Sequence, residues 1–258
     1  MPEPQTTSPR DVSGTLVKGL AVLSAFDETR QDLTMPQIVE ITGLDRAAVR
    51  RLVLTLAHLG YLQKSGRSFR LTPRVLRHAG AYLRANRIGA LVQPVLNRFA
   101  EDLGSTISLA ALDDRSALYI AQSTARASAP SLGFTVGSRL PAPSTAVGRM
   151  LLAGLDRDAA RALIRQMDVI RHTPRTETDP SAIARAVDTA RVQGWITVDG
   201  EFEAGAMGLA VPVAADAAGP MALGMSEPSV TVGTADAVDR CIGLLQACAN
   251  TLARSGAL

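Results

Sequence analysis

Residues 34–53 constrain the fold of this chain more than any other segment. Thr34 with Pro36 two residues later is typical of a helix start, because threonine caps the first turn and proline is tolerated in it. Gly43 ends this short helix, and Asp45 is the N-cap of the next one. Two helices joined by so short a turn predict a helix-turn-helix, whose second helix lies in the major groove of DNA.

The second helix has two different faces. Val49, Leu52, Val53 and Leu56 repeat with helical spacing and predict its inward stripe. Arginine suits guanine because its fork meets O6 and N7 together, and a small residue lets the helix approach the base edges. The candidate base-reading residues on the opposite face are Arg46, Ala47, Arg50 and Arg51.

A hairpin follows this helix. Residues 61–64 and 67–71 flank a Ser-Gly turn, which predicts two short strands forming a wing. We expect Lys64, Arg67 and Arg70, on or beside the turn, to contact phosphates or the minor groove, which positions a domain without reading sequence. A helical subdomain that serves only dimerisation, with a solvated arginine face, remains the alternative.

Charge is unevenly distributed. Residues 12–84 carry 11 Lys and Arg against 5 Asp and Glu, whereas residues 85–258 carry 15 against 17. Such asymmetry indicates that the first part meets a polyanion, although a basic solvated surface would have the same composition. Aromatic residues make up 3% of the chain, too few for a protein that stacks bases on exposed rings.

From Ser105 the pattern alternates between strands and helices and predicts an α+β domain built on an antiparallel sheet. A helix is also expected to end near Ala25, and two more to span residues 73–84 and 86–103. Beyond them, strands are expected at residues 106–112, 117–122, 132–136, 195–198, 209–214 and 221–225, and helices at 144–153, 156–166, 180–193 and 234–253.

These elements divide the chain into four expected segments. They are a disordered leader at residues 1–11, a winged helix-turn-helix domain at 12–72, a connector helix at 73–87 and an effector-binding domain at 88–258. The start of the chain has no apolar signal core, and no charge-free run approaches the ~18 residues of a membrane span. Cys241 and Cys248 give no disulfide framework. We expect a soluble, cytoplasmic protein.

Several segments together resemble one known family, the IclR regulators. The recognition helix, Arg46-Ala47-Ala48-Val49-Arg50-Arg51, is similar to the subgroup that controls aromatic-acid catabolism through the β-ketoadipate pathway. The resemblance implies a GAF-like effector-binding domain, with a central antiparallel sheet, in dimers or dimers of dimers. The segments that carry it are residues 16–23, 33–34, 42–52, 59–62, 69–76, 136–141, 148–153, 193–195 and 209–213.

A sensor domain needs a concave apolar site with a few polar groups. In residues 141–146 a loop enters a helix, whose free N–H groups attract a carboxylate, and Ser144 and Thr145 add hydroxyls. Ser144 serving only as a helix cap is the simpler alternative. Arg139 and Arg149 are possible partners of an acid. The candidate effector-binding residues are Arg139, Pro141, Ser144, Thr145, Glu201, Met207, Gly208 and Gly224.

The resemblance also marks departures from the aromatic-acid subgroup. Met207 stands where that subgroup commonly has arginine, Gly208 where it has serine, Gly224 where it has asparagine, and Pro143 where it has tyrosine. Losing a guanidinium removes the natural two-point partner of a carboxylate. Three alternatives therefore follow for this domain: a site for an aromatic or other organic acid, a larger and more apolar pocket, or a pocket without a ligand.

No enzyme motif accompanies these features. The sequence contains no G-x-S-x-G, P-loop, G-x-G-x-x-G or H-E-x-x-H pattern, and His58, His78 and His172 have no metal-ligand spacing, so neither a metal nor a cofactor is expected. The sequence predicts a homo-oligomeric regulator that binds a roughly palindromic operator and responds to a small molecule. Two alternatives are a ligand-independent DNA-binding regulator with a degenerate pocket and a sensor domain with enzymatic activity.

Overall fold

The computed structural model describes residues 11–27, 29–124, 134–213 and 219–256. The expected leader, residues 1–11, lies outside the described residues except for Asp11. The chain divides into two compact units, residues 1–82 and 83–258.

The first unit is a small helical domain with a three-stranded antiparallel sheet in the order β1-β3-β2. Its buried core joins the helices to the sheet, with Val22, Ile38, Val49 and Val53 fully buried and Phe69 nearly so. Its elements are α1 (Gly14–Leu23), β1 (Leu33–Thr34), α2 (Met35–Thr42), α3 (Arg46–His58), β2 (Leu62–Ser65), β3 (Ser68–Leu71) and the start of α4 (Leu76–Ala85).

Helix α1 differs from its expected extent at one end. It ends at Leu23 rather than near Ala25, because the chain turns there to bury Ala25 and Phe26 in the core. Leu16 and Leu20, on this helix, are 63% and 55% exposed. Part of the apolar surface of the helix therefore does not contact the core.

The second unit is built on a six-stranded sheet in which every neighbouring pair is antiparallel. The strand order is β6-β5-β4-β9-β8-β7. The strands are β4 (Ser108–Asp113), β5 (Ser116–Gln122), β6 (Arg139–Pro141), β7 (Ile196–Asp199), β8 (Ala206–Val213) and β9 (Met221–Pro228). The α+β architecture with a central antiparallel sheet is confirmed.

Helices cover both faces of this sheet. One face packs against α5 (Gln93–Leu103) and α10 (Ala235–Arg254), around residues such as Leu96 and Leu245. The other face packs against α6 (Ala146–Ala153) and α8 (Pro180–Gln193), with α7 (Arg157–Arg165) beside them and Met150 and Ile183 in the core. A short helix, α9 (Ser229–Val232), precedes α10. Two buried cores therefore lie on either side of one sheet.

In the second unit, two further expectations differ from the structure. Residues 134–136 are not a strand, and the rest of the expected strand at 132–136 lies outside the described residues; the edge strand is β6 instead. The expected helix at 86–103 is interrupted, because Arg87 adopts a left-handed conformation with φ 52° and a π-helical turn, Ile88–Val92, leads into α5.

Candidate nucleic-acid interface and ligand cavity

The helix-turn-helix has a cap at the start of α2, at the turn and at the start of α3. The Gln37 carboxamide oxygen accepts from the Thr34 backbone N–H at 2.9 Å and from its hydroxyl at 2.8 Å. Gly43 has φ 65°, a conformation that glycine adopts without strain. The Asp45 carboxylate then accepts from the Ala48 N–H at 2.8 Å, which lowers the pKa of Asp45 below its usual value. The helix-turn-helix is thus fixed by local hydrogen bonds.

Helix α3 presents the two faces that its sequence predicts. Its inward stripe is confirmed: Val49 and Val53 are fully buried, and Leu52 and Leu56 pack partly buried against the same core. The four candidate base-reading residues, Arg46, Ala47, Arg50 and Arg51, are all exposed. Within the part of the chain that the structure describes, no ion pair holds their three guanidinium groups, which leaves them available to an anionic partner.

The predicted wing is the hairpin of β2 and β3. Lys64 and Arg67 are exposed beside its turn, where Gly66 has φ 60°. Arg70 was expected to contact DNA, but its guanidinium is paired within the protein. It donates to both carboxylate oxygens of Asp32, at 3.0 and 2.8 Å. Its charge is already partly neutralised, whereas no ion pair with another described residue holds Lys64 or Arg67.

A cavity of about 230 Å³ lies in the second unit, where the first turn of α6 meets the sheet. Strands β4, β5, β8 and β9 and the loop at residues 202–205 contribute to its wall. A concave site of this size, with apolar and polar groups on its wall, has room for a small organic ligand.

One end of the cavity is the start of α6. Thr145 caps the helix by accepting from the Gly148 N–H at 3.2 Å. The first intrahelical donor is Arg149, so the N–H groups of Ala146 and Val147 precede the helix's own hydrogen bonds. Ser144 is fully buried on the wall, and among the described residues its hydroxyl finds no hydrogen-bond partner. Buried polar groups are nearly always paired, so this hydroxyl is an unsatisfied donor beside the cavity.

Two glycines let α6 approach the sheet closely. A Cβ on Gly208 would lie 3.2 Å from the Ala146 Cβ, and one on Gly224 would lie 3.1 Å from the Val147 Cβ. Both distances are shorter than ordinary carbon contacts of about 3.5–4.0 Å. The two glycines, on the neighbouring strands β8 and β9, thereby set how near the helix start lies to the sheet.

Half of the candidate effector residues lie elsewhere. Ser144, Thr145, Gly208 and Gly224 line the cavity, but Arg139, Pro141, Glu201 and Met207 do not. Met207 packs against the core on the α10 side, since neighbouring residues of a strand point to opposite faces. Arg139 pairs with Asp113 at 3.2 Å in an exposed position, and Pro141 ends the edge strand β6.

Glu201 is instead bound to Arg149. The two side chains form hydrogen bonds of 2.8 and 2.6 Å, and the Arg149 Nε donates to the Pro143 carbonyl at 2.7 Å. The Arg149 side chain is 5% exposed. Its guanidinium is therefore occupied, and it is not the partner of an acid in the cavity.

Most of the remaining wall could not be predicted from local sequence patterns. Its polar side chains on the sheet include Ser108, Tyr119, Gln122 and Ser226, and the pairing of β4 with β5 and β9 brings their strands together. Phe134 and Phe202 add two aromatic rings beside that of Tyr119. Phe202 belongs to residues 201–208, the segment in which the resemblance had already placed Glu201, Met207 and Gly208.

The described residues contain neither a membrane-spanning helix nor a group of metal ligands. In residues 11–27, 29–124, 134–213 and 219–256, no helix is long and apolar enough to cross a bilayer. The same residues contain no group of His, Cys, Asp and Glu side chains that could hold a metal ion.

Comparisons with known proteins agree on one family. The family model for the IclR helix-turn-helix domain matches residues 15–66, and that for the bacterial transcriptional regulator IclR C-terminal matches residues 80–254. The Pca regulon regulatory protein of Pseudomonas putida is 39% identical over 80% of this chain and 71% of its own. The p-hydroxybenzoate hydroxylase transcriptional activator of Acinetobacter baylyi is 36% identical over 77% and 74%.

Solved structures have the same fold. An IclR transcriptional regulator from a Silicibacter species superposes with a TM-score of 0.84 at 28% identity, over 94% of this chain and 96% of that one. An IclR homolog from Microbacterium hydrocarbonoxydans, crystallised with 4-hydroxybenzoate, has a TM-score of 0.73 at 25% identity, over 94% and 98%.

Proposed function

The chain belongs to the IclR family of bacterial transcriptional regulators, and we propose that it controls genes of aromatic-acid catabolism in response to an organic acid. Like these relatives, it is a DNA-binding regulator and not an enzyme. The pathway is proposed because the Pca regulon regulator and the p-hydroxybenzoate hydroxylase activator are among those relatives. Because such a regulator acts on the chromosome, we place it in the cytoplasm.

We assign DNA recognition to the exposed face of α3 and to the wing. Arg46, Arg50 and Arg51 are exposed on one side of a helix whose other side is anchored in the core, so they can reach base edges. Lys64 and Arg67 at the wing are suited to phosphates. We propose that the chain forms a homodimer or a dimer of dimers. Two copies would then bind successive major grooves, which requires a roughly palindromic operator.

The effector, in this proposal, places an acidic group at the start of α6. The observation that supports this acid site is the Ser144 hydroxyl, which is buried on the cavity wall without a partner among the described residues. It lies beside the N–H groups at the start of the helix. A helix N-terminus favours anions through its dipole and its donors. The acid thus meets hydroxyl and backbone donors. No described cavity-lining residue is a lysine, arginine or histidine, and the charged side chains on the described wall are the carboxylates of Glu203 and Glu227.

An operator must be identified before the effector can be tested. The purified full chain is incubated with fragmented genomic DNA of its source, and the captured fragments are sequenced. Operator affinity is then measured by fluorescence anisotropy with and without benzoate and its 3- and 4-hydroxy derivatives. We expect one of these acids to change the operator Kd by about 5- to 150-fold, the usual range for coupling between sites.

Two variants test whether the acid binds in the cavity. Ser144→Ala should weaken acid binding about tenfold or more, because a hydrogen bond to a charged group is worth about 1.5–3 kcal/mol. Ser181→Ala, an exposed serine on α8, is the control and should leave acid binding unchanged. If no acid binds and operator affinity never changes, the ligand-independent regulator is the better description.

A further inference from the structure

Tyr119, on β5, is a cavity residue that neither the family resemblance nor the sequence pattern singled out. Its ring lies edge-on to that of Phe134, with centroids 6.4 Å apart and planes at 86°. Edge-to-face packing of this kind is favourable and fixes the ring. The phenol is thus held in one orientation on the cavity wall.

Ser108 and Gln122 line the same cavity wall as Tyr119. The Gln122 carboxamide nitrogen donates to the Ser108 hydroxyl oxygen at 3.3 Å, so Ser108 keeps its own proton for another acceptor. Ser108 hydrogen bonding acts to lower the pKa of Tyr119. A phenol donates through its proton and accepts through its oxygen, so the Tyr119 hydroxyl can donate to a ligand in the cavity.

Burial keeps this phenol neutral. It outweighs the contribution of Ser108 and raises the pKa of Tyr119 to about 12. Near neutral pH the hydroxyl therefore remains protonated and acts as a donor. It lies on a strand of the sheet, whereas the proposed acid site lies at the start of α6.

We propose that Tyr119 determines effector specificity by donating a hydrogen bond to a second oxygen of the ligand, separate from its acidic group. This inference rests on the proposed function, since it concerns the same cavity. The ligand class that fits is a single-ring acid carrying a hydroxyl or carbonyl oxygen. Phe134, Leu140 and Phe202 supply apolar wall for the ring. A ring acid without that oxygen leaves the Tyr119 hydroxyl unpaired and binds more weakly.

The test compares ligands that differ by one hydroxyl. Isothermal titration calorimetry of the full chain is performed with benzoate, 3-hydroxybenzoate and 4-hydroxybenzoate. We expect at least one hydroxybenzoate to bind about fivefold or more tightly than benzoate. Tyr119→Phe keeps the ring and its packing but removes the donor, so the ratio should fall to about one while the Kd of benzoate changes less than about twofold.

Two further variants separate the outcomes. Ser144→Ala should weaken all three acids by the same factor, because it acts on the shared carboxylate. Tyr82→Phe, a partly exposed tyrosine of α4, is the control and should change neither the Kd values nor their ratio.

Each contrary result has its own meaning. If Tyr119→Phe leaves the preference for the hydroxybenzoate intact, or weakens benzoate as strongly as the hydroxybenzoates, the inference is overturned while the proposed function stands. If the wild-type chain binds none of the three acids, the proposed effector class is overturned and this inference with it.

Discussion

The guanidinium of Arg149, in α6, forms a two-point ion pair with the carboxylate of Glu201, in the segment that leads into the cavity loop. The two hydrogen bonds are 2.8 and 2.6 Å long, and the side chains are 5% and 14% exposed. Glu201 also accepts from the Glu177 N–H at 2.9 Å. The ion pair therefore links α6, whose start lines the cavity, to the neighbouring loop at residues 202–205, which also lines it.

Breaking this pair should cost much stability. Arg149→Met leaves the Glu201 carboxylate buried without its partner, and removing one member of a buried ion pair typically costs about 3–5 kcal/mol. The free energy of unfolding from urea titration measures it. The double variant Arg149→Met with Glu201→Gln should recover part of the loss, because no buried charge remains. A double variant as unstable as the single one would contradict this account.

Arg50 should contribute to sequence discrimination. Arg50→Ala should lose about 1–3 kcal/mol of operator binding and relax the preference at one base pair. Binding is measured against a set of single-base operator variants. Arg165→Ala, which removes the same charge from the exposed surface of α7, is the control. Equal losses on operator and random DNA would show that Arg50 contacts only the backbone.

The wing should contribute to affinity but not to sequence preference. Lys64→Ala should weaken all sequences alike and reduce the slope of log K against log salt by roughly one. Arg70→Ala should change that slope less, because Asp32 already holds its guanidinium. Titrations at four or more salt concentrations distinguish the two. A larger slope change for Arg70→Ala than for Lys64→Ala would refute this assignment.

Two helix glycines should respond oppositely to alanine. A Cβ on Gly148 would lie 2.3 Å from the Ala142 Cα, so Gly148→Ala forces backbone apart and should cost about 1–3 kcal/mol or more. A Cβ on Gly243, exposed in α10, meets nothing within 4 Å. Gly243→Ala should therefore stabilise the chain by up to about 1 kcal/mol. Thermal unfolding of both variants provides the check, and stabilisation by Gly148→Ala would contradict the close approach of α6.

The cap at Asp45 should make the first unit sensitive to acid. The Ala48 N–H lowers the folded-state pKa of Asp45, so the cap's contribution is fully present above the ordinary pKa of 3.8 and is lost as pH falls through the lower folded value. Asp45→Asn keeps a cap without this titration. The melting temperature of the wild type should exceed that of the variant at pH 6, and the gap should shrink below pH 4. A gap independent of pH would be inconsistent with a charged cap.

The first unit could be predicted from sequence because its signals are local. Thr34, Gly43 and Asp45 mark the ends of the helices directly, and the spacing of Val49 and Val53 fixes the buried side of α3. Strand β1 was missed because two residues carry no periodicity, and the Arg70–Asp32 pair was missed because it joins residues 38 positions apart.

Local sequence signals predicted the cavity at the start of α6, and the family resemblance added Gly208 and Gly224. Ser144 and Thr145 stand at a loop-to-helix boundary, which a sequence can reveal, whereas Tyr119 and Ser108 face the cavity only through the register of β4 and β5. Met207 was misplaced for a related reason: a shift of one position along a strand moves a side chain to the opposite face. The boundaries of the connector, residues 73–87, remain a prediction.

Where Gly208 and Gly224 face α6, the small side chains of Ala146 and Val147 lie against strand backbone rather than against longer side chains. A methyl group at either glycine would require the facing residue of α6 to move by a few tenths of an ångström. Exchanging either glycine for alanine would therefore shift Ala146 or Val147, which line the cavity at the start of the helix.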